Sequence, residues 1–161
     1  MIFKSLEKKD VPQVWDLFVQ LKIEGAEVSF AEVETKEIIE TWVENPAHLT
    51  YVAVDNGHRI IGVVRGKREM TDEKKHAAFL TAAIQPDTRG KGIAAKLTEF
   101  ALSEMKKKGV TIARIYVYSD NKASLHAVEK LGFTLGGKVL MHHLDVKSGQ
   151  YVDDLIFHKI L

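Results

Sequence analysis

Cysteine is absent from this chain of 161 residues, which excludes a disulfide framework, a thiolate zinc site and a cysteine nucleophile. A surplus of either charge is absent too, since 23 Lys and Arg stand against 22 Asp and Glu for a net charge of +1. Such a balance gives no general attraction to nucleic acid or to an anionic membrane, so any anion site must be local. Long apolar runs are missing: none approaches the roughly 20 residues that span a bilayer, and residues 1–7 carry no apolar core of a secretory signal. The expectation is a soluble cytoplasmic protein without nucleic-acid or membrane partners. Only 3 prolines occur, Pro12, Pro46 and Pro86, each where an element is expected to start or stop. What the chain does have is 45% hydrophobic content, enough over this length for one sizeable core and a single domain spanning residues 1–161.

The stretch 84–97 organises the rest. Phe79 to Ile84 is an apolar run of strand length that Pro86 stops. Ile93, Leu97, Phe100, Ala101 and Met105 then recur at helical spacing until a lysine run and Gly109 end the helix. Gly90 and Gly92 lie between, at a helix start, where unbonded main-chain N–H groups and the positive end of the helix dipole are available and glycine lets a ligand come close. Arg89, Lys91 and Lys96 add positive charge, which suits a ligand with more than one phosphate. Glycines before a helix also serve as plain tight turns, and spacing alone does not separate the two roles.

Around this stretch the pattern predicts a strand over 2–6, then a helix capped by Asp10 with Pro12 in its first turn and a buried stripe of Val11, Val14, Trp15, Leu17, Phe18 and Leu21. Trp15 reads as a core anchor. Residues 23–34 have no strong period and carry Glu24 and Glu27. A second helix over 35–44 is expected to turn Ile38, Ile39, Trp42 and Val43 inward. A hairpin follows, 49–54 and 60–68, around Asp55-Asn56-Gly57-His58. Residues 112–118 alternate Ile115 and Val117 against Tyr116 and Tyr118, Asn121 caps a short helix over 123–131, and strands over 134–146 and 151–160 close the chain. Strands outnumber helices and hairpins occur at both ends. The fold class is therefore α+β, a mixed and mostly antiparallel sheet of about seven strands flanked by about four helices.

Two blocks carry a family resemblance. Arg89-Gly90-Lys91-Gly92-Ile93-Ala94 fits the pattern Arg or Gln, two residues, Gly, one residue, Gly or Ala; Asn121, Ser124-Leu125 and Glu129-Lys130-Leu131-Gly132-Phe133 fit a second block in the same order. On these the chain resembles the GNAT superfamily of N-acetyltransferases over nearly its whole length. The resemblance implies acetyl-CoA as co-substrate, no metal, and direct acetyl transfer to a primary amine of a small molecule or peptide. It implies that Arg89, Gly90, Lys91, Gly92, Ile93 and Ala94 hold the diphosphate of coenzyme A. It also implies that the pantetheine arm pairs with Ala82, Ala83 and Ile84, and that Asn121 and Ser124 contact the cofactor. Edge strands of such sheets also pair into homodimers.

Acyl transfer to an amine needs a base for the incoming ammonium, an N–H donor for the oxyanion and an acid for the departing sulfur. Many relatives place a tyrosine just before Glu-Lys-Leu-Gly-Phe, where this chain has Val128, and a glutamate early in the preceding strand, where it has Ala78-Phe79. Tyr116 stands where some relatives carry a catalytic glutamate and is the first catalytic candidate; His76 is the second. Glu24, Glu27 and Tyr118 are substrate-side candidates. His126 lies about 200° around its helix from Val128 and faces away. His142 and His143 are adjacent on a strand, so they are expected to project to opposite faces and to form no metal site, and Asp153-Asp154 reads as protection of an exposed edge.

Three rival functions differ in testable ways. Gly90-Lys91-Gly92-Ile93-Ala94-Ala95 follows the spacing of a dinucleotide fingerprint, yet no acid ends a following strand at about 20 residues. A phosphate-binding P-loop would need serine or threonine after Lys91, where Gly92 stands. A non-catalytic acyl-CoA sensor accounts for Val128 and Phe79 and is the serious alternative.

Overall fold

The structure, a computed structural model, describes residues 1–25 and 33–161. Seven strands form one sheet in the order β1-β2-β3-β4-β5-β7-β6. They are β1 (Ile2–Ser5), β2 (His48–Val54), β3 (Ile60–Lys67), β4 (Ala77–Ile84), β5 (Ile112–Tyr118), β6 (Thr134–Asp145) and β7 (Gln150–Ile160). Every neighbouring pair is antiparallel except β4 with β5.

Helices α1 (Val11–Ile23) and α2 (Lys36–Glu44) cover one face, and α3 (Ile93–Lys107) and α4 (Lys122–Lys130) the other. Central β3 is consequently buried on both faces and reads as a near-continuous apolar run. On the α3 face, Leu97, Ala101 and Met105 pack against Tyr51, Val64, Leu80 and Val117. On the other, Leu17, Phe18, Leu21, Ile39 and Trp42 pack against Val52, Ile60, Val63 and Ala83. The Leu, Ile, Val, Met and Phe side chains among these contribute roughly 1.5–3 kcal/mol each on burial. Gly66 of β3 lies beneath α3, where a Cβ would come within 2.8 Å of the Met105 sulfur, so any larger residue would have to displace the end of the Met105 side chain.

Three expectations change. Trp15 is half-buried, with the Lys22 ammonium 5.4 Å above its ring, and the core tryptophan is Trp42, 3% exposed. Ile38 is 37% exposed because Ile39 and Trp42, three apart, already occupy the inward stripe of a nine-residue helix. Asp10 precedes α1 without bonding its N–H groups; its carboxylate instead accepts from the Glu7 N–H at 2.9 Å and the Lys4 ammonium at 2.7 Å, closing a short 3-10 turn.

One feature of the sheet positions the site. The parallel ladder joining β4 to β5 has three pairs, Ala77↔Ile112, Ala78↔Ala113 and Phe79↔Arg114, and then stops. β4 continues to pair with β3 as far as Ile84↔Gly62, and β5 with β7 as far as Tyr118↔Asp154. The two central strands therefore part company beyond Phe79.

Candidate active site

At the open end of β4 the chain turns through Pro86–Thr88 into α3. Gly90 and Gly92 take φ of +77° and +73°, and a Cβ built on either would meet nothing within 4 Å. Backbone conformation, not packing, favours glycine here, and the space beside both residues is open. No main-chain N–H from Gly90 to Ala95 has a hydrogen-bond acceptor among the described residues; the first bond of the helix is Lys96 N–H to Gly92 O at 3.2 Å. Ile93 is buried and anchors the helix start, while Arg89, Lys91 and Lys96 are exposed around it. Six free donors at the positive end of a 15-residue helix make a strong anion site.

Arg89 is already engaged. Its guanidinium grips the Glu24 carboxylate at the end of α1 in a two-point contact of 3.0 and 2.8 Å, with both side chains substantially exposed. An expected phosphate ligand and an expected substrate-side acid thus meet each other. Glu27 lies outside the described residues.

The main chain of β4 supplies the second component. Gln85 N–H bonds to Ile61 O on β3, so strand alternation turns the N–H and C=O groups of Ala83 toward β3 and those of Ala82 and Ile84 toward the gap. Ala83 is buried against α1, whereas Ala82 is exposed with only a methyl group to obstruct the opening. Ala82 and Ile84 present two unpaired strand positions to which an extended ligand arm can add as a surrogate strand.

Across the gap, the α1 face of β5 carries Arg114, Tyr116 and Tyr118. The Tyr116 ring, 45% exposed, stacks on Phe79 with centroids 5.3 Å apart and planes within 6°, closing the apex of the opening. Arg114 lies 5.8 Å over the same Phe79 ring. His76 is exposed and lines a cavity of about 520 Å³ with Lys67, Phe79 and Arg114, below that apex.

The C-terminal hairpin differs from expectation. β6 inserts Leu140, Met141 and His142 between Val139↔Asp154 and His143↔Val152, a bulge with Met141 at φ +52° whose N–H is held by the Asp153 carboxylate at 2.8 Å. The bulge breaks alternation, so His142 and His143 do not diverge. Their rings lie 6.2 and 4.5 Å from that of Tyr118. Asp154, 7% exposed, pairs with Tyr118 across the β5–β7 ladder, and its Oδ2 stands 4.0 Å from His142 Nε2. Asp154 is therefore an inward carboxylate and not edge protection. Burial pushes its carboxyl above the ordinary range, while the neighbouring histidines pull it back.

Residues 12–133 match the Acetyltransferase (GNAT) family. The chain belongs to that family. N-alpha-acetyltransferase 30 of Schizosaccharomyces pombe is 31% identical over 118 residues, covering 71% of this chain and 77% of that protein. The fold is shared with ribosomal-protein-alanine N-acetyltransferase from Brucella melitensis, at TM-score 0.85 and 20% identity over 100% of both chains. It is shared also with yncA from Salmonella typhimurium, solved with its cofactor acetyl-CoA, at TM-score 0.84 and 17% identity over 99% of this chain and 93% of that one. The mixed, mostly antiparallel sheet is thus the GNAT sheet, and the protein is an N-acetyltransferase.

Within this GNAT enzyme, Val128 is 5% exposed and packs in the main core, so the position that many relatives give to a tyrosine serves packing here. His126 is exposed on the other side of α4. Asn121 caps α4 by its side-chain oxygen accepting from Ser124 N–H at 3.1 Å, which commits that oxygen and that N–H to the helix. Among the described residues no group of three or more His, Asp or Glu is placed to hold a metal ion, and no helix is long and apolar enough to cross a membrane.

Proposed function

We propose that this GNAT enzyme uses acetyl-CoA and transfers the acetyl group directly to a primary amine of a small molecule or peptide. The observation that carries the reading is the run of unpaired N–H groups from Gly90 to Ala95 beside the parted strands. A diphosphate fits the first, and an extended amide-bearing arm fits Ala82 and Ile84 at the second. Bound there, acetyl-CoA supplies an activated acetyl thioester. The chain supplies the rest: Lys91 and Lys96 add charge to the diphosphate site, Ile93 and Ala94 contribute helix N–H groups, and Arg89 joins them by exchanging its Glu24 partner for phosphate. Asn121 and Ser124 border the arm from α4. The Ala82 N–H is the donor for the thioester oxygen, in a setting fixed before the reaction begins.

Tyr116 is the proposed proton donor to the departing sulfur, since it stands at the apex where the strands separate; Tyr116→Phe then lowers kcat about tenfold or more. His76, in the cavity below Phe79, is positioned for the acceptor's remote end and not for the thioester. A homodimer would use the β6 edge, where Leu140 and Val146 are exposed, and sedimentation velocity measures it.

Thiol release measured over a panel of primary amines tests the reading against the acyl-CoA sensor. Turnover of any amine, with acetylated amine recovered in equal amount, supports transfer. Acetyl-CoA binding without release from any amine would support the sensor instead.

A further inference from the structure

Resting on the acetyl-transfer reading, we propose that His142 accepts the proton of the incoming ammonium and that the buried carboxylate of Asp154 positions it. Neither the tyrosine position nor the β4 position that provides proton transfer in many relatives can do so here, because Val128 and Phe79 are apolar. A base must come from elsewhere, and the parted strands show where.

Extending the Phe79↔Arg114 register up the gap sets Tyr116 level with Thr81 and Tyr118 level with Ala83. Tyr118 is therefore opposite the Ala82 N–H that addresses the thioester, and Asp154 is its neighbour on β7 at the same height. Among the described residues no helix core covers this part of the sheet on the α1 face: the apolar cluster beneath α1 and α2 draws its sheet residues from β2, β3 and β4. An amine can approach here.

The His142–Asp154 arrangement has the features of a built site. Among the described residues nothing hydrogen-bonds the fully buried Asp154 Oδ1, a costly state for a carboxylate unless a cation forms beside it. The His142 side chain is 44% exposed while that of Asp154 is 9% exposed, so the imidazole meets solvent and acceptor with the carboxylate behind it. The 4.0 Å separation is longer than a hydrogen bond and shortens readily once the ring is charged. Left-handed Met141, clamped by Asp153, is strained backbone spent on turning both histidines to one side. Among the described residues the charged or titratable groups around His142 are Tyr118 on β5, His143 on β6, and Asp153 and Asp154 on β7, with Asp120 lining the pocket beside His143.

With hydrogen on Nε2 toward Asp154, the His142 Nδ1 lone pair takes one proton from the ammonium, and the imidazolium that results faces the carboxylate. The freed amine lone pair forms the N–C bond to the acetyl carbon as the C–S bond breaks and its electron pair leaves on sulfur. Tyr116 gives its phenolic proton to the thiolate and takes the second amine proton in return, and His142 releases its own to solvent.

The test is the pH dependence of kcat for the parent, His142→Gln and Asp154→Asn, with acetyl-CoA affinity and thermal melting measured on each. His142→Gln is expected to lower kcat at pH 7 by about 100-fold or more, to keep acetyl-CoA affinity within about twofold, and to lose the acidic limb of the profile. Added imidazole is expected to restore part of the rate to His142→Ala, which guards against a glutamine-specific defect. Asp154→Asn is expected to retain some activity with the acidic limb moved to lower pH, because the imidazolium loses its counter-charge. A parent that acetylates amines alongside a His142→Gln enzyme within threefold of it overturns this inference and leaves acetyl transfer standing. A parent that binds acetyl-CoA and acetylates nothing overturns both.

Discussion

Replacing Gly92 with aspartate separates ligand binding from folding at one position. Gly92 is the N-cap of α3 at φ +73° and ψ +12°, and a side chain there meets open space. For the fold the change is nearly neutral: the left-handed conformation costs about 1 kcal/mol for an L-residue, and a negative charge at a helix start returns roughly 0.3–1 kcal/mol. For the ligand it is severe. A carboxylate about 5 Å from a diphosphate of charge near −2 repels it by about 3 kcal/mol at an effective dielectric of about 40, roughly 100-fold in Kd. Isothermal titration with acetyl-CoA at low ionic strength reads this directly, and the melting temperature is expected to stay within about 4 °C of the parent. Gly92→Asn has the same shape and tolerance of this backbone without the charge, and is expected to bind within about fivefold of the parent. The aspartate effect also shrinks with added salt, because the site is exposed to screening. Equal affinity of the aspartate variant and the parent would refute the reasoning, as would equal losses in the aspartate and asparagine variants.

Two further outcomes follow from packing and charge. Restoring the family tyrosine with Val128→Tyr overpacks a core site that is 5% exposed, which costs about 1–3 kcal/mol, and scanning calorimetry is expected to show a lower melting temperature with no gain in kcat; a faster enzyme of unchanged stability would contradict this. For Asp154, burial raises the folded pKa above that of the unfolded chain, so the native state binds its proton more tightly and stability falls as pH rises through that range. Asp154→Asn is expected to melt higher than the parent at pH 7 and to lose that advantage below pH 4, and a lower melting temperature at pH 7 would show the carboxylate to be stabilising.

Local signals with a single physical meaning were legible in the sequence. The glycine turn before α3 was readable because Gly90 and Gly92 are followed at once by an apolar helical period, and positive φ is what both adopt. Asn121 was readable as a cap because its position before a short amphipathic stretch leaves few alternatives, and its oxygen does accept from Ser124. Contacts between distant segments were not readable: nothing near Glu24 or Arg89 marks a partner 65 residues away. Strict alternation through β6 would put His142 and His143 on opposite faces, and the bulge defeats it. The run Val139-Leu140-Met141 interrupts that alternation with three apolar residues in succession, and this was the available sign of a bulge. Trp15 and Trp42 both sit on apolar helix faces, and only the packed sheet decides which is buried.

The central claim is that main-chain amides at the start of α3 and on β4 hold acetyl-CoA. Amide chemical shifts of the isotope-labelled protein, followed through an acetyl-CoA titration, test it most directly. The largest changes are expected on residues 90–95, Ala82 and Ile84, while the Ala83 amide, turned toward Val63, moves less. Saturating acetyl-CoA that leaves the amides of residues 90–95 unmoved would contradict it.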